Sequence, residues 1–213
     1  MALQSYSDLQ AAIADWLMRT DLAAAIPNFI ALAEADISRR LAADDSSGAP
    51  PREMMGYAQS PIEQEFEITP PDFMGARSAF LDGATEPLEF STVEEIAKRK
   101  AIYPATSGNP TAYAVIGSMF QFWPAPTATL QINLFYLQRI QPLTDGITSN
   151  WLLKLHPDCY LYGSLIHSAP YLKDDDRLAV WQAKFDRTIA SIRLAGQRTQ
   201  GGSYLSIMPR AIA

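Results

Sequence analysis

A chain of 213 residues, 48% hydrophobic and 19% charged, is a globular protein able to bury a sizeable core, which excludes a disordered chain. A net charge of −6 and a pI near 4.9 disfavour non-specific nucleic-acid binding. A single cysteine excludes an internal disulfide and a cysteine-built zinc site, and no apolar run reaches the roughly 18 residues that a membrane helix needs.

The opening Met1-Ala2-Leu3-Gln4-Ser5 has no basic n-region and no long apolar h-region, so no secretory signal is expected. Residues 1–42 then predict a helical hairpin. Ser7 and Gln10 form a capping-box pattern, and Leu9, Ala12, Ile13, Trp16 and Leu17 recur at helical spacing. Thr20-Asp21 predicts a new N-terminus. A second stripe runs through Ile26, Phe29, Ile30, Ala33, Ile37 and Leu41, with Pro27 in the first turn, where its missing N–H costs little.

Residues 43–147 carry most of the fifteen prolines, which is incompatible with long helices. Asp44 to Pro51 reads as a linker or loop. Ile62, Phe66 and Ile68 alternate with Glu63, Glu65 and Glu67, predicting a strand with one wet face. Residues 73–81 and 87–91 are further short strands, and a short helix runs from Val93 to about Ala101. Tyr113 to Trp123 predicts a hairpin turning near Gly117-Ser118, and Leu130, Ile132, Leu134 and Tyr136 alternate in the last strand. This zone reads as an inserted small antiparallel β module, a sheet or sandwich.

Residues 148–198 are helical again. Ser149 is positioned to cap a short helix through Leu155 that begins with Trp151, whose ring is expected to be largely buried. His156 precedes Pro157, which disfavours the α region there and opens a second helix. Tyr160, Leu161, Leu165, Ile166 and Tyr171 make that helix apolar on more than one side. Asp174-Asp175-Asp176 opens the last helix, with its core stripe at Leu178, Trp181, Phe185, Ile189 and Ile192 and its end at Gly196 and Gly201-Gly202. The fold class is α+β: a bundle of residues 1–42 and 148–198, the β module between them, and an arm over 199–213.

The chemistry candidates have bland readings. His156 and Cys159 are a pre-proline histidine and a buried small hydrophobe rather than a thiol–imidazole pair. His156 and His167 lie eleven residues apart, about 16 Å along a helix, too far to share an ion. Asp174-Asp175-Asp176 is better explained by capping than by cation binding, and Glu63, Glu65 and Glu67 by a solvated face than by acid–base work. No nucleophile elbow or phosphate-binding glycine loop is present. Lys98-Arg99-Lys100 and Arg39-Arg40 complement helix dipoles, and Glu34 and Asp36 oppose reading the first two helices as a DNA-binding helix-turn-helix. No enzyme, cofactor or metal site is expected.

Three segments carry a resemblance. They are Tyr6-Ser7-Asp8-Leu9 to Trp16-Leu17 with Ile26-Pro27-Asn28-Phe29-Ile30-Ala31-Leu32-Ala33-Glu34-Ala35, then Ser107-Gly108-Asn109-Pro110 with Tyr113, Gly117 and Trp123-Pro124-Ala125-Pro126, then Asn150-Trp151-Leu152-Leu153 to Gly163. In this order they resemble the head-to-tail adaptor (connector) proteins of tailed bacteriophages, the ring docked beneath the portal. The acidic, proline-rich stretch 44–51 departs from the family pattern. The resemblance implies a virion structural protein, assembled in the host cytoplasm as a typically dodecameric homo-oligomer. It implies portal protein and a tail or nozzle protein as partners, with DNA passing through the ring without sequence-specific binding. Twelve copies of such a subunit carry roughly −72 charges before screening, which suits a channel that must not hold its cargo. Interface candidates are Trp123, Trp151, Tyr160 and Tyr162, with Tyr204, Leu205, Ile207, Met208 and Arg210 on the arm, which is expected to reach portal or the next subunit. Two other readings are a minor capsid or tail-tube component, and a carbohydrate-binding or enzymatic module on the sheet.

Overall fold

The computed structural model describes residues 3–19, 21–43, 49–104, 106–172 and 176–200. Helices α1 (Tyr6–Leu17) and α2 (Ile26–Ala42) open the chain. Seven strands follow: β1 (Met55–Ile62), β2 (Phe66–Ile68), β3 (Phe73–Leu81), β4 (Glu89–Phe90), β5 (Ala112–Ile116), β6 (Met119–Trp123) and β7 (Leu130–Gln138). Helix α3 (Val93–Ile102) falls between β4 and β5, and α4 (Trp151–Leu155), α5 (Pro157–His167) and α6 (Leu178–Gln200) close the described chain. The fold is α+β. Its contacts divide it into a helical unit, residues 1–54 and 140–213, and a β unit, residues 55–139.

In the helical unit, α5 is the centre. It packs against α1, α2, α4 and α6. Cys159, Tyr160, Leu161, Gly163, Ser164 and Leu165 are all buried, so the helix is enclosed on several sides and has little amphipathic character. Leu9 and Ile13 of α1, Ile30, Ile37 and Leu41 of α2 and Phe185 and Ile192 of α6 bury their stripes. Gly163 makes this closeness possible, because a Cβ there would lie 3.1 Å from Phe185 and 3.2 Å from Ala33. Trp16 is the exception to the α1 stripe, being 41% exposed.

The helix ends correct several expectations. The N-cap of α1 is Ser5, not Ser7: its hydroxyl accepts from the Asp8 N–H while the Asp8 carboxylate accepts from the Ser5 N–H. Aspartate fills the reciprocal position usually held by Glu or Gln. Helix α2 starts at Ile26, with Ala25 at its N-cap and no side-chain cap, rather than at Thr20-Asp21. Asp21 instead receives two hydrogen bonds from Arg19, at 2.6 Å each. Asn150, not Ser149, caps α4. Tyr171 lies beyond the end of α5 and is exposed, its ring edge on Phe29. Helix α6 begins at Leu178, past Asp176, while Asp174 and Asp175 lie outside the described residues.

Gly196 does not end α6. The helix runs through it to Gln200, because here glycine serves close approach rather than termination. A Cβ on Gly196 would meet the carbonyl oxygens of Ala49 and Pro50 at 2.6 and 2.7 Å.

The β unit is two sheets around one core. The first is antiparallel, in the order β1-β7-β3; the second has the order β2-β6-β5-β4, with β4 parallel to β5. Ile62, Ala79, Tyr113, Phe120, Phe122, Ile132, Leu134 and Tyr136 pack together from both sheets. The alternating face of β7 is therefore the inner face of a small sandwich. Strand β1, which carries Pro61, has no alternating pattern and is not apparent in the sequence. The predicted strand through Ile62, Phe66 and Ile68 is two strands in two different sheets. Ile62 is buried at the end of β1, whereas Phe66 and Ile68 on β2 are 42% and 80% exposed and Glu65 and Glu67 are half-buried. The chain turns between them because the Glu67 carboxylate accepts from the N–H groups of Glu63 and Gln64, at 2.8 and 3.1 Å. That turn inverts the face expected from alternation.

Gly196→Ala is expected to lower unfolding stability by about 1–3 kcal/mol, since backbone carbonyls must move to admit the methyl group. Gly75→Ala, where a Cβ would meet nothing within 4 Å, should change it by less than about 0.5 kcal/mol. Thermal melts of the two variants make the comparison, and equal melting temperatures would contradict it.

Candidate interaction surfaces

Among the described residues, Cys159, His156, Glu65, Arg99, Lys100 and Arg40 have structural roles. Cys159 has no exposed surface; burial, first, and the neighbouring Asp158 push its thiol pKa far up, so it stays a protonated core residue. His156 caps α4 through its N–H to the Leu152 carbonyl and lines a shallow cavity of about 280 Å³ with Pro51, Glu53 and Ile192. Glu65 accepts from Lys100 and Gln121, and Arg99 pairs with Glu89 at 2.7 Å, so these two members of the basic run face acids of their own unit. Arg40 joins Asp36 and Asp186 and lies over the Phe185 ring. Among the described residues, no group of three or more His, Cys, Asp or Glu could hold a metal ion. No described helix is long and apolar enough to cross a membrane.

A buried hydrogen-bond chain fixes the helical unit. The Asn150 amide donates to the Gln141 carbonyl and to the Tyr160 hydroxyl, both at 2.7 Å. The Tyr160 hydroxyl donates to Glu34 Oε1 at 2.9 Å, and the same oxygen accepts from the Leu143 N–H at 2.8 Å. Asn150 Oδ1 accepts from the Leu153 N–H at 2.9 Å, which is the cap of α4. One chain of bonds thus joins α2, the segment 141–143, the start of α4 and the first turn of α5. Burial raises the Glu34 pKa above its ordinary value, outweighing the two donors that lower it. Burial and the facing Glu34 push the Tyr160 hydroxyl up, so it remains a donor.

This network corrects one interface candidate. Tyr160 has no accessible surface and is a core residue. Glu34, expected among the surface acids of α2, is turned inward. Trp151, Tyr162 and Trp123 keep some access to solvent. Trp151 is largely buried, as expected, with part of it still accessible, while Leu152 and Leu153 beside it are fully buried. Tyr162 is half-buried, edge-on to Trp16 at 5.9 Å. Trp123 is half-buried under the Arg99 guanidinium, 5.6 Å from its ring centroid. Tyr204, Leu205, Ile207, Met208 and Arg210 lie outside the described residues.

Two surfaces of the β unit were not apparent from the sequence. On the outer face of the first sheet, Tyr57 and Phe135 are cross-strand partners, 5.2 Å apart, and Phe80 of β3 meets Phe135 edge-on at 6.2 Å. The row crosses all three strands and is flanked by Asn133, which accepts from the Tyr57 hydroxyl. The second surface is the open edge at β2. Both carry large exposed apolar side chains, the kind of surface that marks interaction sites. A sequence signal existed only in part: Tyr57 lies on a strand without alternation, and Phe135 sits on the strand face expected to be polar.

The chain belongs to the SU10 adaptor protein family, whose model matches residues 4–208. That is a phage head-to-tail adaptor family, and the match spans both units. It takes in Tyr204, Leu205, Ile207 and Met208 and stops short of Arg210. No curated protein matches the chain.

The raised Glu34 pKa has a signed consequence. The folded state holds the Glu34 proton more tightly than the unfolded chain, whose value is near 4.5. Its contribution is complete below that pH and is lost as pH rises through the folded value. Glu34→Gln keeps an acceptor for both donors without the charge. The melting temperature of Glu34→Gln relative to the native chain should therefore climb as pH rises above 4.5, and a constant difference from pH 4.5 to 8 would refute this. Glu34→Ala, which strands the Tyr160 hydroxyl and the Leu143 N–H, should cost about 1–3 kcal/mol.

Proposed function

We propose that this protein is the head-to-tail adaptor of a tailed-phage virion: copies form a ring between portal and tail that extends the DNA channel. The observation that carries this reading is the family match over residues 4–208. The physical character of the chain supports it. An acidic subunit of net charge −6 repels DNA and lets it slide. A closed ring of one chain needs heterologous contacts, in which two different patches of each subunit meet. Trp151 and Tyr162 on the helical unit, and Trp123, Tyr57 and Phe135 on the β unit, are partly accessible aromatics of the type that anchors such contacts. The arm residues Tyr204, Leu205, Ile207, Met208 and Arg210 complete the set of proposed contacts. In this proposal, assembly takes place in the host cytoplasm, with portal above and a tail or nozzle protein below, and the ring is a dodecamer.

Cryo-EM class averages of the purified protein, alone and mixed with portal, test this directly. Closed rings stacked coaxially on portal are expected; monomers that leave portal bare would overturn the reading. Trp151 gives a residue-level test. Trp151→Ala should cost the monomer about 2–4 kcal/mol, since most of the side chain is buried while part stays accessible, and should reduce the ring fraction measured by light scattering well below the variant's melting temperature. An unchanged ring fraction would remove Trp151 from the interface.

The aromatic row Tyr57, Phe135 and Phe80 beside Asn133 favours a second reading, a carbohydrate platform on the sheet, because flat aromatic faces flanked by amides suit sugar rings. Glycan-array binding that is lost in Tyr57→Ala would support it.

A further inference from the structure

Among the described residues, the three-residue strand β2 is paired on one side only. The Phe122 N–H donates to the Glu65 carbonyl at 2.8 Å, the Thr69 N–H donates to the Ser118 carbonyl at 3.0 Å, and Glu67 stands opposite Phe120. Residues 65, 67 and 69 therefore turn their backbone groups toward β6. By the alternation of an antiparallel ladder, Phe66 and Ile68 turn their N–H and C=O groups to the open edge. Ile68 pairs with Met119, and Met119 pairs with Ile116. Partners in register share a face, so these three exposed side chains form one apolar row that ends at the edge. A cavity of about 440 Å³ continues from it, lined by Ile68, Thr69, Pro70, Phe73, Ser118 and Arg139 among others. Free backbone groups in line with exposed apolar side chains are the template for an added strand.

The occupant that fits is an extended, uncharged segment with apolar residues two apart. The chain contains one. Ser203-Tyr204-Leu205-Ser206-Ile207-Met208 places Leu205 and Ile207 at the spacing of Phe66 and Ile68. Gly201-Gly202 precedes it, and Pro209, which has no N–H to give a ladder, follows it. No residue from Gly201 to Met208 is charged, so the segment can approach an acidic neighbour without repulsion. The family match ends at Met208, so it takes in this segment. We propose that residues 203–208 of one copy add as a strand to the open edge of β2 in the next copy. The edge belongs to one subunit and the segment to the other, which is the heterologous contact a closed ring requires. This inference rests on the ring reading and assigns it one contact.

Cysteine pairing in the full-length protein tests it, since Cys159 is buried and contributes no accessible thiol. Ile68→Cys is co-expressed with Leu205→Cys or with Ile207→Cys, each on a separate chain, and assemblies are mildly oxidised. A disulfide-linked dimer is expected for at least one tail position, at tenfold or more over a Tyr57→Cys control. Rings of full mass with no link above control would overturn the strand placement and leave the ring reading standing. Monomeric protein throughout would overturn both. A link formed only within one chain, in the double variant, would overturn the exchange between copies. A second variant reads the same contact: Ile68→Lys, at an exposed site, should leave the melting temperature of the monomer unchanged and weaken assembly at least tenfold. Unaltered assembly would overturn the proposal.

Discussion

The helical unit depends on one buried hydrogen-bond chain. Helices that bury apolar side chains can pack in many registers, since apolar contact is non-directional. The bonds from Asn150 to Tyr160 and from Tyr160 to Glu34 remove that freedom. Asn150, Tyr160 and Leu143 are buried and Glu34 is half-buried, so a slipped register leaves their polar atoms without partners, at a cost of about 1–3 kcal/mol each. The same atoms hold the segment 141–143 through the Gln141 carbonyl and the Leu143 N–H. Hydrophobic burial supplies the stability of the unit, and the polar chain selects which packing is used.

That division explains what the sequence reveals. Stripes are legible: Ile26 to Leu41, Trp181 to Ile192, and the alternation from Leu130 to Tyr136 each become a buried face. The hairpin from Tyr113 to Trp123 is legible because Gly117, at φ +59°, marks its turn. What alternation cannot reveal is where a chain changes sheets. Ile62 and Ile68 look like one strand face, yet a turn held by one carboxylate separates them. Helix ends misread for a similar reason. Ser5, Ser7 and Ser149, Asn150 are neighbouring cap residues, and tertiary geometry decides between them: the Tyr6 N–H donates to the Thr148 carbonyl, and Asn150 is drawn to Tyr160.

The interaction surfaces are less legible still. A buried tyrosine and an anchoring tyrosine are the same residue type, and Tyr160 differs from Tyr162 only by its place on α5. Trp16 fits a core stripe by spacing and is nonetheless partly exposed, covered on one edge by Tyr162. The β2 edge carries no sequence mark at all, because its availability comes from being the last strand of a sheet. The family match places the chain among phage adaptors, and the structure shows which of its described aromatic side chains reach solvent.

The pairing of β1 with β7 has a consequence for how this protein can vary. Met55 and Leu137, near the two ends of the β unit, are direct partners across an antiparallel ladder. Their Cα atoms are therefore about 5 Å apart, the spacing of adjacent strands. The two ends of the β unit therefore lie side by side on adjacent strands, the arrangement that an inserted cassette requires. Deletion, lengthening or replacement of the cassette needs only that its own ends meet, a condition that any antiparallel pair of terminal strands satisfies. A change within 55–139 that keeps the pairing of β1 with β7 therefore keeps the two ends of the unit together.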